Sequence, residues 1–153
     1  MMTAQHYLSQ AYRLDQRIQM DQAELDNLRA LATSVGSPGF EEHYNPNHPT
    51  DASFVKTLDR IWEMEQKISE ELHHLILLKQ EILLVLAKVE DVDERLVLTY
   101  HYLQNMNWME ISEELGVSDR TIRRWHERAL SHVVVPARPE SQESTEREKF
   151  EKI

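Results

Sequence analysis

Phe54, Ile61, Ile68, Leu75, Ile82 and Val89 follow one another at intervals of seven residues without a break. A helix of 3.6 residues per turn gathers such positions on one face, whereas a strand, alternating every two residues, would scatter them over both. Four residues on from the first five stand Leu58, Glu65, Leu72, Lys79 and Leu86, which completes a coiled-coil-like seam with two charges set into it. A helix of about forty residues, at 1.5 Å each, reaches about 60 Å, and so exposed a rod needs a partner along its length. The preceding segment supplies one, because Ala11, Ile18, Leu25 and Ala32 repeat at the same interval with Leu14 and Leu28 between them. Residues 35–50, VGSPGFEEHYNPNHPT, concentrate glycine and proline and form the connecting loop, and Thr50 is placed to cap the second helix. The expectation is an antiparallel helical hairpin. Phe54, Leu58, Ile61, Ile68, Leu72, Leu75, Ile82 and Leu86 are expected to carry oligomerisation as well, joining two copies in a homodimer. Glu65 and Lys79, pointing inward, would set register or partner choice. Trp62, Ile76, Leu77, Leu78, Leu83, Leu84 and Val85 lie off the seam and widen the apolar face toward its second half, as needed for more than one neighbour.

Beyond residue 90 the elements shorten. Asp91 with Glu94, and Asn107 with Glu110, have the spacing of capping boxes. Gly116 can end a helix in the left-handed conformation, and Ser118 can cap the next. The helices predicted are 92–103, 108–115 and 119–132. Val133, Val134 and Val135 run into Pro136, and the tail after it has few large apolar residues and is expected to be flexible. The fold class is therefore all-α, with a helical hairpin arm over 1–90, a trihelical domain over 91–135 and a tail over 136–153.

Several function classes fall away. Cysteine is absent from the sequence, which removes disulfides, thiolate metal sites and cysteine nucleophiles. The start MMTAQHYLSQ has neither the basic nor the apolar region of a secretory signal, and the most apolar stretch, Leu75 to Leu86, is interrupted by Lys79, Gln80 and Glu81. No membrane association is expected. Adjacent His73 and His74 diverge on a helix and cannot share a metal, Glu70 with His74 is an ordinary helical pair, and His43 and His48 sit among loop acids. No phosphate-binding, dinucleotide-binding, hydrolase or zinc-protease motif occurs. The expectation is a protein with no catalytic residues, no metal and no cofactor.

The segment NWMEISEELGVSDRTIRRWHERAL carries the positive information. Ile111 and Leu115 share a face of one helix, Gly116 makes the turn, and Val117 can fill the space between helices. Ile122, Trp125 or His126, and Ala129 make the inward stripe of the next. Arg120, Thr121, Arg123, Arg124 and Glu127 are left outward. This is the layout of a helix-turn-helix, whose second helix enters the major groove of DNA. Arginine there can bond bidentately to guanine or grip phosphate, and Ser118 with the free N–H groups beside it suits a phosphate. Trp108 and Trp125 are read as packing residues rather than base-stacking platforms. Net charge is −10, against what phosphate neutralisation wants, but Ser118–His132 sets Arg120, Arg123, Arg124 and Arg128 against only Asp119 and Glu127.

Residues 94–133 resemble region 4 of bacterial sigma factors. Arg95, Val97 and Leu98 match that family's first helix, Glu110, Ile111, Leu115, Gly116, Val117 and Ser118 its second helix and turn, and Thr121, Ile122, Ala129 and Leu130 its recognition helix. Ser112 stands where the family has a small alanine. No segment resembles the sigma region that melts promoters, so a complete sigma factor is not expected. The arrangement of the whole chain is also similar to small phage and prophage proteins of Gram-positive bacteria related to ArpU-like transcriptional regulators. These resemblances imply a regulator, cytoplasmic in a bacterial host, that binds double-stranded DNA, with RNA polymerase as a candidate second partner. The DNA-binding set is Ser118, Asp119, Arg120, Thr121, Arg123, Arg124, Glu127 and Arg128, with base reading by Arg120, Arg123 and Arg124 and a lesser role for Arg128. Two alternatives stay open: a ring-forming packaging protein like a small terminase subunit, and an acidic interaction protein that docks on RNA polymerase or another regulator.

Overall fold

The computed structural model describes residues 2–35 and 50–137, with side chains described over 2–34 and 52–137. Of the expected loop 35–50, residues 36–49, with His43 and His48, lie outside the described residues, as does nearly all of the tail, while Val35 and Thr50 belong to helices. Five α-helices lie among the described residues: α1 (Ala4–Val35), α2 (Thr50–Ala87), α3 (Val92–Leu98), α4 (Trp108–Leu115) and α5 (Asp119–His132). The all-α class and the long hairpin followed by short helices are as the periodicity predicts. Among the described residues no helix is long and apolar enough to cross a membrane. The chain divides into two compact units, one of Gln16–His73 and the other of Met1–Asp15 with His74–Ile153.

In the first unit α1 and α2 run antiparallel. Ile18, Leu25 and Leu28 of α1 and Ile68 of α2 are buried. Ion pairs flank them: Lys67 Nζ lies 3.3 Å from Asp21 Oδ2, Arg60 Nη2 lies 3.5 Å from Glu24 Oε1, and Arg29 Nη2 lies 2.9 Å from Glu65 Oε1. Glu65 therefore sits at the margin, paired across the hairpin, and not inside the seam. The two pairs with both side chains exposed, Arg60–Glu24 and Arg29–Glu65, contribute little stability each, whereas Asp21 is buried beneath Lys67.

The second unit begins with Tyr7, Leu8 and Ala11 of α1, all fully buried or nearly so, packed in a core with Leu75, Leu78, Ile82, Val85, Leu86 and Val89. Tyr7 is solvent-free along its whole side chain, and its hydroxyl donates to Glu81 Oε1 at 2.6 Å. Each aliphatic side chain removed from water here contributes about 1.5–3 kcal/mol.

Of the eight residues expected to carry oligomerisation, four are packed within the chain itself. Ile68, Leu75, Ile82 and Leu86 are buried inside the single chain, because one face of α2 is already covered by its own neighbours. Phe54 and Ile61 are half-buried, while Leu58 and Leu72 are each 44% exposed. Outside the seam, Val55 and Trp62 are exposed in the first unit, and Ile76, Leu77, Leu83 and Leu84 in the second.

Helix α3 opens on Asp91, whose Oδ1 accepts from the Glu94 amide at 3.1 Å. The other half of the expected capping box is not made, since the Glu94 side chain turns into the domain. The predicted helix 92–103 is α-helical only to Leu98 and continues through Thr99–Leu103 as a π-helical turn. His101 closes this wider turn: its Nδ1 donates to Met106 O at 2.9 Å, and its ring stacks on Trp108 at 4.1 Å. Asn105 then takes φ 55°, a left-handed conformation that asparagine tolerates better than most residues, and redirects the chain into α4.

Candidate nucleic-acid interface

Asn107 caps α4, with Oδ1 accepting from the Glu110 amide at 2.9 Å and Nδ2 donating to Glu110 Oε1 at 2.7 Å. Gly116 ends the helix at φ 67°, ψ 28°, its amide bonding back to Ser112 O. A Cβ at Gly116 would meet nothing within 4 Å, so the need for glycine is conformational and not steric. The Ser112 hydroxyl donates to Val117 O across the turn. The departure from alanine at this position thus adds a clamp that the sequence alone does not announce.

Ser118 begins α5, its Oγ accepting from the Thr121 amide at 3.2 Å and bonding Thr121 Oγ1 at 2.8 Å. Asp119 in the first turn suits the positive end of the helix dipole. From there the helix separates its residues sharply. Ile122, His126 and Ala129 are buried, and Trp125 is half-buried. Ile122 joins Val97 and Ile111 in a core onto which Tyr100, Met106, Trp108, Leu115, Val117 and Trp125 pack. Both tryptophans are therefore packing residues, and of the two candidates for the inward stripe, His126 is the deeper.

His126 meets Tyr102, with Nε2 and the phenolic oxygen 2.7 Å apart. Burial, with the nearby His101 adding to it, pushes the imidazole down to about 4, so it is neutral at pH 7. The Tyr102 hydroxyl, desolvated, is pushed up to about 12 and keeps its proton.

On the opposite side of α5, Arg120, Arg123, Arg124 and Glu127 are exposed, as is Ser118 at its start, while Thr121 is half-buried. Arg123 Nε lies 3.2 Å from Asp119 Oδ2, a local pair that holds the guanidinium near the first turn. Arg128 is placed differently from the other arginines. Its Nε lies 2.7 Å from Glu94 Oε1, and His132 Nδ1 lies 2.7 Å from Glu94 Oε2. The Glu94 side chain is 2% exposed, so α3 presents a buried carboxylate that grips the second half of α5. Sequence reasoning assigned Arg128 to DNA and Glu94 to a cap; a buried acid has no signature of its own in a single sequence. The remaining outward cations, Arg120, Arg123 and Arg124, all lie within the first turns, where a recognition helix comes closest to base edges.

Residues 79–133 match the family described as Sigma-70, region 4, a span that begins inside α2 and ends one residue past α5. No curated protein and no solved structure matches the chain. The C-terminal part of the chain is thus a sigma-70 region 4-like helix-turn-helix, a non-catalytic type of DNA-binding module.

Proposed function

We propose that the protein is a sequence-specific transcription regulator that reads the major groove of double-stranded DNA with α5. The observation that carries this reading is the division of that helix. Its inner stripe is consumed by the core, while Arg120, Arg123 and Arg124 project together from its first turns with no structural partner that packing requires. Each bidentate arginine–guanine contact discriminates by about 1–3 kcal/mol. Thr121 and Glu127 flank the arginines and can contribute to base choice. Ser118 and Asp119 shape the helix start that lies nearest a phosphate. Arg128 acts from within, by positioning α5. With net charge −10 the chain repels DNA at long range, so few phosphate contacts and a modest affinity follow. A homodimer, joined through what α2 leaves exposed at Leu58 and Leu72, would pair two half-sites about one helical turn apart and raise affinity by linkage. A phage or prophage setting rests on the arrangement of arm, loop and motif alone.

A second reading is favoured by one observation: Glu110, Glu113 and Glu114 of α4 are all exposed, an acidic surface in the same domain as the arginines of α5. In that reading the domain docks on a protein such as RNA polymerase. Selection from random double-stranded DNA by the full chain decides between them. Enrichment of a motif that changes in Arg120→Ala, Arg123→Ala or Arg124→Ala, with affinity falling as salt rises, supports DNA reading. Absence of any motif, or a motif indifferent to all three substitutions, supports the protein-docking role.

A further inference from the structure

The first unit contains a pair of acids that the DNA-reading function does not use. Asp21 of α1 is only 3% exposed, a buried acid in the helical hairpin. Glu71 of α2 faces it, and both Glu71 carboxyl oxygens are shut off from solvent with no N–H or hydroxyl donor in reach among the described residues. The cations around the pair are Lys67, 3.3 Å from Asp21 Oδ2 with its side chain 54% exposed, and the exposed Arg17. Both favour Asp21. Two ionised carboxylates packed this way would have one near cation between them and no donor for the inner oxygens. A single proton on Glu71 resolves this, because the acid then donates to Asp21 and supplies the hydrogen bond that the geometry otherwise lacks.

We propose that one proton shared between Glu71 and Asp21 fastens α1 to α2 in the arm, so that the hairpin is held more firmly at mildly acidic pH than at alkaline pH. Burial, then the hydrogen bond to Asp21 and its charge, push Glu71 up to about 7 from 4.5. The same hydrogen bond, with Lys67 and Arg17, holds Asp21 below the usual carboxylate range, so Asp21 stays ionised throughout. The sign follows by linkage. Between about 4.5 and 7 the folded arm retains a proton that the unfolded chain releases, and this contribution is lost as pH rises through 7. Because the midpoint lies near neutrality, a small pH change alters how tightly the arm is closed, and with it any surface that closure presents.

The experiment is a carbon-detected titration of the glutamate side-chain carboxyls in the labelled full-length chain between pH 4 and 9. The Glu71 resonance is assigned by through-bond correlation to its own backbone, so no variant is required. The expected result is a midpoint near 7 for Glu71, well above the ordinary glutamate value of 4.5. A Glu71 midpoint within about half a unit of 4.5 overturns the proposal. In parallel, urea unfolding monitored at Trp62 is compared for wild type and Glu71→Gln, whose amide keeps a donor toward Asp21 at every pH. The wild-type midpoint is expected to fall from pH 6 to pH 8 relative to that of Glu71→Gln, a difference from which histidine titrations common to both cancel. Parallel pH dependence in the two proteins also overturns it.

Discussion

Replacing Arg128 by alanine removes the cation that covers Glu94 and leaves that carboxylate with His132 as its remaining partner. Stripping one partner from a buried ion pair typically costs about 3–5 kcal/mol, because a charge stays behind in a poor dielectric. Here the cost is smaller. The Arg128 side chain is itself 50% exposed, so its truncation opens a path for water to Glu94, and His132 Nδ1 stays 2.7 Å away. About 2 kcal/mol of destabilisation is expected, a factor of about 30 in the folding equilibrium. Arg124→Ala is the control: exposed and on the outward side of α5, it should leave stability within about 0.5 kcal/mol.

The two substitutions should cross over in DNA binding. A domain with 5 kcal/mol or more of stability remains almost wholly folded after losing about 2, so Arg128→Ala should keep affinity within a few-fold. Arg124→Ala should lose about 1–3 kcal/mol of binding, roughly 5- to 150-fold. The assay is urea denaturation read by tryptophan fluorescence in a Trp62→Phe background, so that Trp108 and Trp125 report on the helix-turn-helix, alongside titration of the selected DNA. The result that refutes the reasoning is Arg128→Ala with unchanged stability and an affinity loss equal to that of Arg124→Ala. Arg128 would then be a DNA contact, and its pairing with Glu94 would carry no energy.

Acid should loosen the same domain. His126 is held near 4 when folded and returns to about 6.5 when unfolded, so the unfolded chain binds the extra proton, and stability should fall by up to about 3 kcal/mol as pH drops from 6.5 to 4. Urea midpoints over that range should decline in wild type and stay flatter in His126→Phe; parallel declines would dismiss the histidine as the cause. The two faces of α2 should answer differently to charge: Leu58→Glu with Leu72→Glu should leave the hairpin folded and convert a dimer to a monomer by sedimentation, whereas Ile68→Glu should unfold the arm. A wild-type chain that sediments as a monomer at high concentration would remove the dimer from the reading.

Periodicity tells which side of a helix is apolar, but not what covers it. The seven-residue repeat from Phe54 to Val89 placed α2 and its inner face correctly, and the spacing of Ile111, Leu115, Ile122 and Ala129 placed the trihelical core. The same repeat could not say that Ile68, Leu75, Ile82 and Leu86 are covered by their own chain, because an internal and an external partner demand the same residues at the same positions. Tyr7 and Leu8 precede the first regular repeat and were invisible to it, though both are among the deepest side chains. Polar chemistry was the least legible. Glu94, Asp21 and Glu71 look in sequence like any solvated acid on a helix, and what sets each apart is a neighbour 34, 46 or 50 residues away, as in Arg128 to Glu94, Lys67 to Asp21, and Asp21 to Glu71. The outward arginines of α5 were legible for the opposite reason: their exposure follows from the helix that carries them and from no distant neighbour. A residue whose function faces outward is constrained only by its own helix, and helical geometry is what a sequence records most faithfully.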